Sequence, residues 1–241
     1  MRRHVVMRRG LVSLVEHKGV VEAMPEPLTL IGVGGGMMGL MLHLSRRYFD
    51  IAKEVFDIAC AVLLLVITAP LMLVCAALIT ISSRGPVLFK QVRVGKDGKL
   101  FTMYKLRSMH LNAEKASGAV WASKDDPRVI RACKWMRRSH VDELPQLVNV
   151  IKGEMSLVGP RPERLEILQE LEKSYPDVRR RLAVKPGITG LAQIRNGYDS
   201  SIEAFRGKLA SDLEYIDRRR WSLEFRILVS TVTRFNDQLA R

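Results

Sequence analysis

From Ile58 to Ser83 the chain reads IACAVLLLVITAPLMLVCAALITISS, 26 residues without a charge. A helix rises ~1.5 Å per residue, so this run covers a hydrocarbon core ~30 Å thick. Apolar side chains fill every face. A helix of that kind suits lipid better than the one-sided burial of a soluble domain. Near the middle stands Pro70. It removes an N–H donor and crowds the preceding turn, which kinks a helix. Arg46, Arg47 and Lys53 precede the run, and Arg84, Lys90, Arg93 and Lys96 follow it. Cations on both flanks name no preferred inside. A helix bent at Pro70 that dips into one leaflet and returns satisfies both flanks. A spanning helix stays open as the alternative.

The rest of the chain is polar and basic. Its 241 residues hold 39 Lys+Arg against 25 Asp+Glu, a formal net charge of +14. Such a balance favours polyanions or anionic membrane surfaces. Aromatic residues make up only 6%. A single-stranded nucleic-acid binder interleaves aromatics with cations, so no nucleic-acid partner is expected. Cys60, Cys75 and Cys133 form no zinc spacing and point to a reducing compartment. At the start, Arg8 and Arg9 interrupt any apolar signal core, so no secretory signal peptide is read there. Residues 28–42 are uncharged but hold five glycines, an interfacial or partner-binding pattern too short to span. Arg2, Arg3, Arg8 and Arg9 place residue 1 on the cytoplasmic side.

Beyond the apolar run, RGPVLFKQVRVGKDGKLFTMYKLRSM predicts short strands around a hairpin turn at 96–99. Helices are predicted at 129–138, 144–151, 164–174, 201–218 and 221–235, with Gly153 stopping the second. Residues 109–124 read as helix or loop. In the last helix Trp221, Phe225, Leu228 and Val232 share a face that suits a membrane surface or the core equally.

The chemistry concentrates around VDELPQL. Pro145 marks a helix start, and an aspartate there is an adequate cap. Yet a helix start also attracts phosphate, and Arg137 and Arg138 lie within about a turn. A carboxylate inside a cationic corner is what phosphoryl transfer requires. The cations screen the phosphate, and Mg²⁺ can neutralise the remainder. Lys105 and Arg107 alternate with apolar neighbours on a strand, where one face meets a cleft and the other water. Arg161 is fixed between Pro160 and Pro162, as a rigid phosphate contact or a rigid turn. Lys185-Pro186-Gly187-Ile188-Thr189-Gly190 offers backbone donors beside a lysine. His140 stands two residues before Asp142, and the five histidines show no metal spacing.

Taken in order, the apolar segment with its proline, DDPRVI, RRSHVDELPQLVNVIKGEMSLVGPRPE, YPDVRRRLAVKPGITGLAQI and DLEYIDRRRWSLEFRILVSTV resemble the bacterial sugar transferases. These are small monotopic phosphoglycosyl transferases. The resemblance covers about residues 46–235. It implies an α+β fold in which a re-entrant membrane helix precedes a small, mostly helical catalytic domain with a short β-hairpin and interfacial amphipathic helices. On this reading residues 1–45 are an N-terminal extension, 46–83 the juxtamembrane and re-entrant helix, and 84–241 the catalytic domain.

The resemblance further implies an inner-membrane enzyme whose catalytic domain lies on the cytoplasmic face. A UDP-sugar gives its sugar 1-phosphate first to an aspartate and then to polyprenyl phosphate, with Mg²⁺. Asp142 becomes the nucleophile and Glu143 its dyad partner, both near the metal. Arg137 contacts phosphate, and Lys105, Arg107, Arg161, Lys185, Gly187 and Thr189 line the substrate site. A homo-oligomer is compatible with all of this. Three departures stand out, one being that the usual glycine after the DDPRVI motif is absent from RACKWMRR. Ala69-Pro70 replaces the usual Ser-Pro, and Asn196-Gly197-Tyr198 replaces Asn-Gly-Arg, which leaves the sugar open. The competing reading is a non-enzymatic basic adaptor on the membrane surface, which has no use for carboxylates inside a cationic corner.

Overall fold

The computed structural model describes residues 36–111, 113, 126–196 and 205–233. The extension before Gly36, most of the 109–124 segment read as helix or loop, and Gly197-Tyr198 lie outside the described residues.

The apolar run forms one helix, α1, Gly36–Ser82, 47 residues long. It begins inside the glycine-containing segment and passes residue 45 without a break. Helical assignment also continues across Pro70. Proline cannot donate to Val66, while just below it the Thr68 hydroxyl donates to the Leu64 carbonyl at 2.7 Å. Among the described residues, Leu44–Ser82 is the one stretch long and apolar enough to cross a membrane.

One stripe of α1 is covered by protein. Lys53, Asp57, Ala61, Cys75 and Ile79 are buried along it. Their four-residue spacing within each group keeps them on one face. The other faces expose Leu63, Val66, Ile67, Leu73, Val74 and Ile81. Lys53 to Ile79 spans ~39 Å of helix axis.

The hairpin is as predicted. β1 (Leu88–Val94) and β2 (Leu100–Leu106) pair antiparallel, with Gln91 opposite Met103. Asp97 at φ 55° and Gly98 at φ 76° supply the left-handed residues of the turn. Phe101 and Met103 face the core. The predicted 129–138 helix is a short 3-10 turn, Arg131–Cys133, running into α2, Lys134–Arg138. His140 then takes a left-handed φ of 52°. A 3-10 helix, Val141–Gln146, leads into α3, Leu147–Ile151, and Gly153 follows at φ 75°. Pro145 accounts for the tight start, since it lacks the N–H that an α-helical bond there would need.

VKPGITGLAQI reads as holding a possible strand, but its parallel pairing with a second one was not legible in the sequence. β3 (Ser156–Val158) pairs with β4 (Gly187–Thr189). Each has three residues, too few for any alternation to show. Between them lie α4, Leu165–Ser174, and a 3-10 helix, Pro176–Ala183. Then α5 (Leu191–Asn196), α6 (Phe205–Asp217) and α7 (Trp221–Thr233) complete the described chain.

The core has three parts. Ala61 of α1 packs with Phe101, Met103, Leu147, Val150 and Ile227. Cys75 and Ile79 pack with Leu106, Ile130, Cys133, Met136 and Val141. Val94, Leu168, Leu171, Val178, Phe205 and Leu209 form the third. The same polar domain therefore holds α1 both before and after Pro70. On α7 the buried residues are Glu224 and Ile227, whereas Phe225, Val229 and Val232 are exposed. The face predicted around Phe225 and Val232 is thus the outward one.

Candidate active site

The 3-10 helix Val141–Gln146 buries its acidic pair against β2, leaving Asp142 7% and Glu143 6% exposed. The two carboxylates have unlike surroundings. Glu143 receives Arg161 in a fork, Nη2 to Oε1 at 2.5 Å and Nη1 to Oε2 at 3.1 Å. Lys105 Nζ adds a third bond to Oε1 at 2.8 Å. Bidentate guanidinium pairs of this kind fix geometry as well as charge. Asp142 receives no hydrogen bond from any described residue.

The charges follow these surroundings. Burial pushes Asp142 up to about 6, the pull of Lys105 and the push of Glu143 acting next, with Arg137 and Arg161 lowering it further. For Glu143 burial is the largest single influence and raises it. The fork of Arg161 and the bond from Lys105 together outweigh that and hold it well below the usual carboxylate range. Burial lowers Lys105, partly offset by Glu143. Two adjacent carboxylates thus divide their roles. Glu143 is a fixed anion that sets the position of two cations. Asp142 is a desolvated carboxylate whose oxygens accept no hydrogen bond from a described residue, still mostly ionised at neutral pH.

Arg161 is held by its backbone. Pro160 and Pro162 remove two N–H groups, and four successive carbonyls from 160 to 163 each accept a bond from a different group. Gly187 N–H reaches Pro160 O at 2.9 Å, and Val94 N–H reaches Glu163 O at 3.0 Å. Arg181 Nη2 donates to Arg161 O at 2.9 Å, and Arg93 Nη1 to Pro162 O at 3.1 Å. Buried acids balance those arginines. Asp212 accepts Arg181 Nε at 2.7 Å, and Glu163 lies 3.1 Å from Lys208 and 3.7 Å from Arg181. Burial works to raise Glu163, but Lys208, Arg181 and Arg93 bring it down to about 2. Sequence reasoning missed Arg93, Arg181, Glu163, Lys208 and Asp212. Only Glu163, next to the Pro-Arg-Pro, carried any local signal.

The remaining predicted site residues fall elsewhere. Arg107 spends its guanidinium on the two residues that follow α1, donating to Arg84 O at 2.7 Å and Ser83 O at 2.6 Å. Lys185 pairs with Glu54 of α1 at 2.8 Å. The Thr189 and Thr231 hydroxyls lie 2.7 Å apart. The Gly187 N–H is committed to Pro160, and a Cβ at Gly187 would stand 2.1 Å from the Gly159 nitrogen. The glycine of this motif serves close backbone packing, not a free anion loop. Arg137 and Arg161 join Lys105 around Asp142, whereas Arg138 is exposed.

A second buried network ties α1 to the domain. Lys53 Nζ lies 3.2 Å from Asp57 Oδ2 and 2.9 Å from Glu224 Oε2. Ser156 donates to Asp57 at 2.6 Å, and Tyr215 to Glu224 at 2.8 Å. Ser156 opens β3, the strand that runs into Pro160-Arg161-Pro162. Charges at 53 and 57, one turn apart beside an apolar run, were the visible signal for it.

Two carboxylates side by side suit a Mg²⁺ ion, which takes one or two protein carboxylates and completes its shell with water and phosphate oxygens. Asp142 has the open oxygens for this. Among the described residues, groups of three or more potential metal-ligating side chains are absent.

The profile of the family described as Bacterial sugar transferase matches residues 48–238. The chain is 42% identical over 164 residues to the UDP-N-acetylgalactosamine-undecaprenyl-phosphate N-acetylgalactosaminephosphotransferase of Aeromonas hydrophila, covering 68% of this chain and 38% of that one. It is 41% identical over 192 residues to the Exopolysaccharide production protein PSS of Rhizobium leguminosarum bv. phaseoli, covering 78% and 92%. It is 40% identical over 193 residues to the UDP-glucose:undecaprenyl-phosphate glucose-1-phosphate transferase of Caulobacter vibrioides, covering 78% and 71%. The matched length takes in the long apolar helix from Tyr48 onward, the acidic pair and the clamped arginine. This chain belongs to the bacterial sugar transferase family.

Proposed function

We propose that this protein transfers a sugar 1-phosphate from a UDP-sugar to a polyprenyl phosphate, through a phosphosugar held on Asp142. The observation that carries the reading is the contrast between the paired carboxylates. Glu143 is saturated by Arg161 and Lys105, while Asp142 is buried beside the same cations and accepts no hydrogen bond from a described residue.

In the first displacement an Asp142 oxygen attacks the β-phosphorus of the donor. The bond from that phosphorus to the bridging oxygen breaks, and UMP departs with the bonding pair. The result is a mixed carboxylic–phosphoric anhydride. In the second, a phosphate oxygen of the polyprenyl acceptor attacks the same phosphorus, releasing the Asp142 carboxylate and forming a diphosphate. Lys105, Arg161 and Arg137 screen the phosphoryl oxygens so that an anionic nucleophile can approach. Glu143 keeps Arg161 and Lys105 in place between the two steps. Bound Mg²⁺, held at Asp142 with Glu143 beside it, would supply further neutralisation of phosphoryl charge. The relatives' names supply the substrate classes: UDP-sugars, undecaprenyl phosphate and exopolysaccharide production. Initiation of a lipid-linked glycan at the inner membrane is the corresponding role.

The covered stripe of α1 supports a re-entrant placement. Lys53 and Ile79 lie ~39 Å apart along the axis, farther than a hydrocarbon core is thick. Both are nonetheless packed against one polar domain. A straight crossing would carry one of these contacts to the opposite face. Arg107, donating to Ser83 and Arg84, holds the far end to the same domain.

The test is mass spectrometry of protein incubated with UDP-sugar and Mg²⁺ in the absence of acceptor. A phosphosugar adduct is expected on the peptide containing Asp142, together with UMP. Release of UMP only after acceptor is added would overturn the covalent route in favour of direct transfer.

A further inference from the structure

We infer that Arg46, Arg47 and Arg219 form a seat for the phosphate of an anionic phospholipid headgroup, separate from the catalytic corner. Together with Asp50 these residues line a cleft of about 380 Å³. Arg46, Arg47 and Asp50 come from the amino-terminal half of α1, and Arg219 from the joint between α6 and α7. None of these segments supplies Asp142, Glu143, Lys105 or Arg161.

Three guanidinium groups face one carboxylate. Arg219 Nη1 pairs with Asp50 Oδ1 at 2.9 Å, and its guanidinium carbon lies 5.6 Å from the centre of the Phe49 ring. Its Nε is buried and has no hydrogen-bond acceptor among the described residues. Arg46 and Arg47 are exposed, and no described residue pairs with either. Among the described residues the cleft therefore carries a surplus of two positive charges and an open donor in its wall. A phosphodiester supplies the missing acceptor oxygens, and guanidinium forks match phosphate geometry.

The surroundings assign that phosphate to a lipid. Leu44, Tyr48, Ile51 and Val55 on α1 are exposed at three- and four-residue spacing beside the arginines. Trp221, two residues after Arg219, packs edge-on against Phe49 and Phe56, each at 5.5 Å between ring centres. Phe225, Val229 and Val232 continue the exposed apolar surface along α7. Trp and Tyr sit at headgroup level in membranes, with arginine reaching into the polar layer. A soluble anion gains nothing from such a rim.

The experiment uses the full chain in nanodiscs of equal phosphatidylglycerol and phosphatidylcholine, with retained lipid counted by native mass spectrometry. Phosphatidylglycerol should be retained in preference. Arg46→Gln with Arg47→Gln should reduce that preference roughly fivefold per arginine removed. Arg219→Gln paired with Asp50→Asn should reduce it too, while leaving no lone charge behind. If the latter pair fails to fold, the two surface substitutions decide alone. Equal retention of both lipids, or variants that keep the wild-type preference, would overturn the proposal. Displacement of phosphatidylglycerol by inorganic phosphate would instead make this a site for free phosphate. Its displacement by polyprenyl phosphate would make it the acceptor's site.

Discussion

Asp142→Asn should make the protein more stable at neutral pH while removing its transfer activity. The carboxyl is 7% exposed and is pushed up from 3.8 to about 6, chiefly by burial. Two pKa units correspond to ~3 kcal/mol. The sign follows from proton linkage. The native state holds this proton more tightly than the unfolded chain, so stability falls as pH rises from about 4 to about 6. Above about 6 the loss is complete. Asparagine carries no charge and escapes it, although an unpartnered buried amide costs ~1 kcal/mol at every pH. The variant should therefore be ~2 kcal/mol more stable than wild type near pH 8 and ~1 kcal/mol less stable near pH 4, combining those two terms.

At ~2–4 °C per kcal/mol for a chain of this size, the gap in melting temperature should change by roughly 6–12 °C across that range. Thermal denaturation of both proteins in the same detergent, followed from about pH 4 to about pH 8, measures it. Glu143→Gln provides the opposite sign. Burial raises that carboxyl, but Arg161 and Lys105 hold it well below its ordinary range. Its ionised form therefore stabilises the fold above pH ~4.5 and loses that contribution as pH falls. Its removal takes this carboxylate from both cations and should destabilise at neutral pH. A gap for Asp142→Asn that does not vary with pH, or two variants shifting in the same direction at pH ~8, would refute the division of roles between the two carboxylates. UMP release by Asp142→Asn should fall by roughly 10⁴–10⁶-fold.

The topology of α1 can be checked in a background lacking Cys60, Cys75 and Cys133. Cysteines placed at Tyr48 and Arg84, both exposed, should be labelled from the same side of the membrane, and labelling from opposite sides would favour spanning. Arg93→Gln removes one of four donors to the Arg161 segment while Glu163 keeps Lys208 and Arg181. Turnover should fall roughly tenfold through loosened placement of Arg161, with partial recovery in Arg93→Lys, measured as UMP release under saturating substrates.

What the sequence by itself determined was whatever depends on near neighbours. An uncharged run of 26 residues must be a lipid-compatible helix, and α1 is that helix. The turn at 96–99 and the hairpin around it follow from Asp97-Gly98 and flanking β-branched and aromatic residues. The acidic pair was visible because Pro145 and the arginines at 137 and 138 lie close in the chain. The tertiary structure decided what depends on distant partners. Local sequence chemistry leaves Asp142 and Glu143 as equivalent carboxylates, told apart there only by the family resemblance. Arg161, 18 residues on, and Lys105, 38 residues back, distinguish them by bonding only the second. Arg107 reads like Lys105, two residues earlier, yet Lys105 meets Glu143 and Arg107 the residues just after α1, because the hairpin's register fixes where each arrives. The glycine of Lys185–Gly190 looks like an anion loop until β4 is seen against Gly159. Likewise the face of α7 that enters the core is chosen by Glu224, whose burial has no local cause. Its partners, Lys53 and Tyr215, come from two other helices. Electrostatic and packing energies act through space, and residues far apart in the chain carry no local trace of the neighbours they will meet.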